Sequence, residues 1–139
     1  MESDVRRIAA SLVRLQKQLN TALAQHPEMP VTLPQLMLLN LTSIHGPCRL
    51  TALAEKIEVK PSAVTVMVDR LEKRGLVRRV QDPDDRRAVR VEITEEGRDV
   101  LDKARELRNE VLGGFMNRLD PEEARLLADS LERLTGAEA

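Results

Sequence analysis

The chain has 139 residues, 42% hydrophobic and 32% charged, with a formal net charge of −1 at pH 7. That length suits one domain with a buried core, and that balance excludes a disordered or membrane-embedded chain. No apolar run approaches the roughly 20 residues that span a bilayer, the acidic start Met1-Glu2-Ser3-Asp4 is not a signal peptide, and the lone Cys48 leaves no intrachain disulfide, so a cytoplasmic location is expected. Phe115 is the only aromatic residue, so the core must be built from Leu, Val, Ile, Ala and Met, which favours helices packed on helices.

Residues 4–24 read as a first helix, because Val5, Ile8, Leu12, Leu15 and Leu19 recur at three- and four-residue steps. Two prolines, Pro27 and Pro30, end it. Thr32 is placed to cap a second helix over residues 33–44, and His45-Gly46-Pro47 closes that. Cys48-Arg49-Leu50 suits a short extended piece. Thr51 is the expected cap of a third helix, residues 52–57, with Leu53, Ala54 and Ile57 facing in. A tight turn then leads to a fourth helix from Pro61, which suits a first helical position, to Lys73, with Gly75 just past its end. Val64, Met67, Val68 and Leu71 share its apolar face; Ser62, Thr65, Val66, Asp69, Arg70 and Lys73 form the other.

After Gly75 the period changes from helical to alternating. Residues 76–81 and 88–93 read as two strands joined by the polar turn Asp82-Pro83-Asp84-Asp85-Arg86-Arg87. Thr94 is the expected cap of a long helix with Glu95 and Glu96 in its first turn and a stripe of Leu101, Ala104, Leu107, Val111 and Phe115. Gly113-Gly114 suggests a kink or a close contact near its end. Asp120, Pro121 and Glu123 form a capping box for a last helix, with Leu127, Leu131 and Leu134 on its buried side.

Two short helices joined by a tight turn, followed by a charged hairpin, match a helix-turn-helix with a wing. The charge distribution agrees. Residues 56–90 hold ten cationic against six anionic side chains, a net +4, whereas residues 91–139 hold seven against thirteen, a net −6. Phosphate backbones respond to local charge, so a near-neutral chain with a basic patch remains suited to DNA. His26, His45 and Cys48 form no cluster with metal-ligand spacing, and no nucleophile–base pair or phosphate loop is present; neither a cofactor nor an enzyme is expected.

These blocks together resemble the MarR family of winged-helix transcription regulators. The resemblance is carried by Ala63-Val64-Thr65, by residues 68–77 (Val-Asp-Arg-Leu-Glu-Lys-Arg-Gly-Leu-Val), by Asp85-Arg86-Arg87 and by Thr94-Glu95-Glu96-Gly97, in register over nearly the whole chain. It implies a mainly α (α+β) fold in which residues 31–97 form the winged helix-turn-helix. Residues 1–30 and 98–139 would form an intertwined dimerisation region that uses Ile8, Leu12, Leu107, Val111, Phe115, Leu127 and Leu131. The implied function is a homodimeric repressor that binds double-stranded DNA at a palindromic operator and is released, in some such regulators, by a small-molecule effector; Met37, Leu41, Arg14 and Lys17 are the candidate lining for that ligand.

Within this frame Lys60, Ser62, Ala63, Thr65, Val66, Arg70 and Lys73 are the expected DNA-facing residues of the recognition helix. Ser62 and Thr65 supply hydrogen bonds, Ala63 and Val66 contact thymine methyls, and Arg70 and Lys73 meet phosphate, unless Asp69 and Arg70 pair with neighbouring charges instead. Val66 stands where the family commonly has a polar residue, which shifts recognition toward DNA shape and the wing. At the wing the resemblance implies that Asp85 orients Arg87 into the minor groove while Arg86 meets phosphate. Two alternatives stay open: a winged-helix protein-interaction module without DNA, and a redox-responsive regulator acting through Cys48.

Overall fold

The computed structural model describes residues 1–137. Helix α1 (Glu2–Gln25) leads to α2 (Leu33–His45), strand β1 (Cys48–Arg49), α3 (Leu50–Ile57), α4 (Pro61–Lys73), β2 (Val77–Gln81), β3 (Val89–Ile93), α5 (Glu95–Met116) and α6 (Pro121–Thr135). The three strands form one antiparallel sheet in the order β1-β3-β2, with Cys48 opposite Val91 and Val77 opposite Ile93.

The helix starts follow from local chemistry. The Thr32 side chain accepts from the Gln35 N–H while Gln35 reaches back to the Thr32 N–H, and Asp120 with Glu123 makes the same reciprocal box on α6. Each box satisfies two N–H groups that a helix start leaves without a carbonyl. Thr94 accepts from the Gly97 N–H at 3.0 Å and donates to the Gly75 carbonyl at 2.6 Å, so it caps α5 and ties it to the turn after α4. Gly97 is required by space: a Cβ there would lie 2.1 Å from the Leu76 carbonyl oxygen and 2.7 Å from Ile93 Cγ1.

The main core lies between α2, α3, α4, the sheet and the start of α5. Leu38, Leu39, Leu53, Val64, Val68, Leu71 and Val91 are all fully buried there. The face of α4 that the sequence marks as apolar is the face that packs. Thr42 joins this core without an unmet polar atom, because its hydroxyl donates to the Leu38 and Leu39 carbonyls at 3.0 Å.

Three expectations change. The cap of α3 is Arg49, not Thr51, and the helix begins at Leu50. The pairing of Cys48 and Arg49 with β3 sets this, since the chain turns into the helix as soon as the ladder ends. Second, α5 runs unbroken through Gly113 and Gly114, and a Cβ at either would touch nothing in its own chain. Third, α6 buries no side chain: Leu127, Leu131 and Leu134 are 39%, 42% and 75% exposed. Helix α1 packs on α5 and α2 near its end and buries only Leu23, while Val5, Ile8, Leu12 and Leu15 lie open.

Candidate nucleic-acid interface

Helix α4 presents two unlike faces. Val64, Val68 and Leu71 are buried, while Lys60 at the cap and Ser62, Ala63, Thr65, Val66, Arg70 and Lys73 are exposed. The Thr65 hydroxyl donates to the Pro61 carbonyl at 3.2 Å, so its proton is engaged within the helix. Val66 is 48% exposed, an apolar side chain on an otherwise polar face.

The far end of α4 is fastened to the sheet. Arg79 of β2 donates to Glu72 at 2.6 Å and also pairs with Asp69, while the Arg79 N–H donates to the second Glu72 oxygen at 3.0 Å. The Asp69 hydrogen bond, followed by Glu72, holds the Arg79 guanidinium above its ordinary pKa. Arg74 donates to the Pro30 carbonyl at 2.8 Å and anchors the same end of the helix to the loop before α2. Asp69 therefore pairs with Arg79 across the α4–β2 corner and leaves its neighbour Arg70 unengaged.

Asp85, Arg86 and Arg87 are exposed at the tip between β2 and β3. Asp85 accepts from the backbone N–H of Arg87 at 2.9 Å. It shapes the turn that carries Arg87 and does not hold the guanidinium. A residue that sequence reading passed over lies at the base of this tip. Asp82 is 2% exposed, and one of its oxygens accepts from both Arg49 Nε and Arg90 Nε at 2.8 Å. The other accepts from the N–H groups of Asp84 and Asp85 at 2.8 and 3.1 Å. The hydrogen bond from Arg49, then those from the Asp84 amide and Arg90, hold its carboxyl far below the usual carboxylate range. The sequence signal was slight: an Asp-Pro at a strand end marks a turn, but nothing local points to arginines 33 and 8 residues away.

The charge pattern around α4 and the hairpin is asymmetric. Arg78 pairs with Glu92, Arg79 with Asp69 and Glu72, and Arg90 and Arg49 with Asp82. Among the described residues Lys60, Arg70, Lys73, Arg86 and Arg87 enter no ion pair. Asp69, Glu72, Asp82 and Glu92 are taken up by arginines that brace the fold, and the cations on the recognition face of α4 and at the hairpin tip stay outside those pairs.

A model of the MarR family matches residues 31–89. The transcriptional regulator HosA of Escherichia coli O111:H- is 32% identical over 120 residues, 86% of this chain and 89% of that protein. The chain belongs to the MarR family. The HTH-type transcriptional repressor MdtR of Bacillus subtilis is 37% identical over 93 residues, 67% of this chain and 60% of that protein. Among solved structures, the YusO protein of Bacillus subtilis is 29% identical, with a TM-score of 0.74 covering 99% of both chains. The winged helix is thus the family's fold, and the protein is a transcriptional regulator, not an enzyme.

Within this MarR-family chain the residues expected at a dimer contact divide into two groups. Ile8, Leu12, Leu127 and Leu131 are exposed, and Val111 and Phe115 are half-buried, with the Arg118 guanidinium 5.4 Å from the Phe115 ring centre. Leu107 is only 1% exposed and is used up by packing within its own chain. Cys48 is half-buried, and its thiol donates to the Gly46 carbonyl at 3.2 Å. Burial pushes its pKa up, so the thiol holds its proton, the opposite of what a reactive cysteine needs. No helix of the described residues is long and apolar enough to cross a membrane.

Proposed function

We infer that this chain acts as a homodimeric repressor that binds double-stranded DNA in the cytoplasm, at a palindromic operator. The observation that carries this reading is the set of unpaired cations, Lys60, Arg70, Lys73, Arg86 and Arg87, on α4 and the hairpin tip, while the carboxylates of Asp69, Glu72, Asp82 and Glu92 are engaged by other arginines. A protein-interaction module would gain little from such a face, because interface centres are depleted of charge. Two phosphate-seeking cations at the end of α4 position the helix, and Ser62, Ala63, Thr65 and Val66 meet base edges. Arg87, on a turn shaped by Asp85, enters the minor groove.

Open apolar stripes support the dimer. Val5, Ile8, Leu12 and Val13 on α1 and Leu126, Leu127, Leu131 and Leu134 on α6 are each at least 39% exposed. A second copy would cover them through the same patch on both chains, and the resulting two-fold axis matches a palindrome. Repression is the role named for MdtR. A small-molecule effector enters the proposal through a cavity of about 150 Å³ between α2 and α5, lined by Leu36, Met37, Asn40, Leu101, Ala104, Arg105 and Arg108. That is below the roughly 300 Å³ of ordinary ligand pockets, so one chain holds only a fragment-sized ligand there. Met37 belongs to this lining; Arg14 and Lys17 lie on a separate groove of α1.

The test is a gel shift with DNA upstream of the protein's own gene at two salt concentrations. Affinity should fall steeply as salt rises, because each phosphate contact releases counterions. A folded dimer that shifts no such DNA at either salt concentration would sink the reading for that site.

A further inference from the structure

We propose that Asp82 is the residue that positions the wing: its buried carboxylate locks the tip that carries Arg87 onto strands β1 and β3. This rests on the DNA-binding role given above to Arg87. The connection is continuous. Arg49 of β1 and Arg90 of β3, opposite one another in the ladder, both direct Nε to one Asp82 oxygen. The other oxygen takes the N–H groups of Asp84 and Asp85, and the Asp85 carboxylate in turn takes the N–H of Arg87. The Asp82 N–H closes the loop on the Ala88 carbonyl at 3.2 Å, and the Ala88 N–H returns to the Asp85 carbonyl at 3.1 Å. Each step from Arg49 and Arg90 to the Arg87 amide is a hydrogen bond, and this side-chain route passes through the one buried side chain in the turn, with the two backbone bonds at Ala88 running beside it.

The charge arrangement explains why a buried aspartate is compatible with a wing that approaches phosphates. Asp82, Asp84 and Asp85 would together repel a DNA backbone. Arg49 and Arg90 neutralise Asp82 within the fold, and Arg86 and Arg87 stay outside that cluster. A carboxylate is needed, since an amide of the same shape offers one acceptor oxygen and one NH2 group. With asparagine, either the two guanidinium donors or the two turn amides would face another donor. A buried donor without an acceptor is costly, so the tip would loosen although the strands remain.

The experiment is a double-mutant cycle read as DNA affinity by fluorescence anisotropy, with a duplex selected by the native protein from a random pool. Asp82→Asn should weaken binding at least about fivefold, and Arg87→Ala about 5- to 150-fold. The double variant should bind no more weakly than Arg87→Ala alone, because Asp82 acts through Arg87. A purely structural aspartate would give losses that multiply, and that result overturns the proposal while leaving Arg87 as a DNA contact. Native affinity for Asp82→Asn overturns it likewise. Native affinity for Arg87→Ala overturns both this proposal and the assigned role of Arg87. Should Asp82→Asn fail to fold, amide exchange in the native protein decides. The Asp84 and Asp85 amides should exchange more slowly than the Arg86 amide of the same turn, and equal rates overturn the proposal.

Discussion

The winged-helix half of the chain and its helical ends place their apolar residues differently. In α2, α3, α4 and the sheet the apolar faces meet one another, and Leu38, Leu53, Val64 and Leu71 lose all contact with solvent. In α1 and α6 stripes of equal regularity stay open, and α6 buries nothing. Periodicity therefore reports that a face will be covered, not by which chain. In the first half the cover is local: α3 and α4 are joined by a turn too short to let them separate, and the hairpin closes on the sheet beside them. In the second the cover proposed here is another copy.

The sharpest way to break this comparison is to remove one leucine from each region. Leu71→Ala should destabilise the fold by about 2–5 kcal/mol, because it leaves a cavity among residues that cannot collapse. Urea unfolding would show that loss at every protein concentration. Leu131→Ala, cut from a half-open face, should leave unfolding of the separated chain nearly unchanged. It should instead lower the fraction of dimer measured by sedimentation at low micromolar concentration. A concentration-independent loss equal to that of Leu71→Ala would mean that α6 is covered within its own chain.

Gly97→Ala probes the seam between the two regions. Its Cβ would meet the Leu76 backbone oxygen, which no side-chain motion relieves, so a loss of about 3 kcal/mol in thermal or urea unfolding is expected, at the upper end of ordinary overpacking. Gly113→Ala and Gly114→Ala are the contrast. Each should add about 0.5–1 kcal/mol of helix stability in the separated chain, where nothing lies near. A loss measured only in the dimer would show that the partner packs closely there.

Smaller effects come from the caps and from pH. Thr94→Ala should cost about 1 kcal/mol in urea unfolding as the α5 cap is lost. The carboxyl of Asp82, held down first by Arg49, and that of Asp120, held down by the Glu123 amide, both titrate lower in the folded chain than in the unfolded one. Each contributes stability that is complete above about pH 5 and is lost as pH falls through and below the unfolded value of about 3.9. Unfolding followed from pH 7 down to pH 3 should show this decline. Asp120→Asn should remove only its own part of the slope, and an unchanged slope would discount that pair.

Sequence by itself determined the features whose partners lie within a few residues. Thr32, Thr94, Asp120 and Pro61 mark helix starts because the groups they satisfy or omit belong to the next turn of backbone. The exposed face of α4 was legible for a similar reason, since helical spacing alone separates Ser62, Thr65 and Arg70 from Val64, Val68 and Leu71. Only the tertiary structure decided which charges are engaged. It paired Arg79 with Asp69 and Glu72 across a corner, gathered Arg49 and Arg90 onto Asp82, and left Arg86 and Arg87 outside any ion pair. Those choices depend on strand pairing and on the approach of residues distant in sequence. A charged side chain looks the same in a sequence whether its counter-ion is a neighbour, a remote residue or a phosphate, and folding is what distinguishes the three.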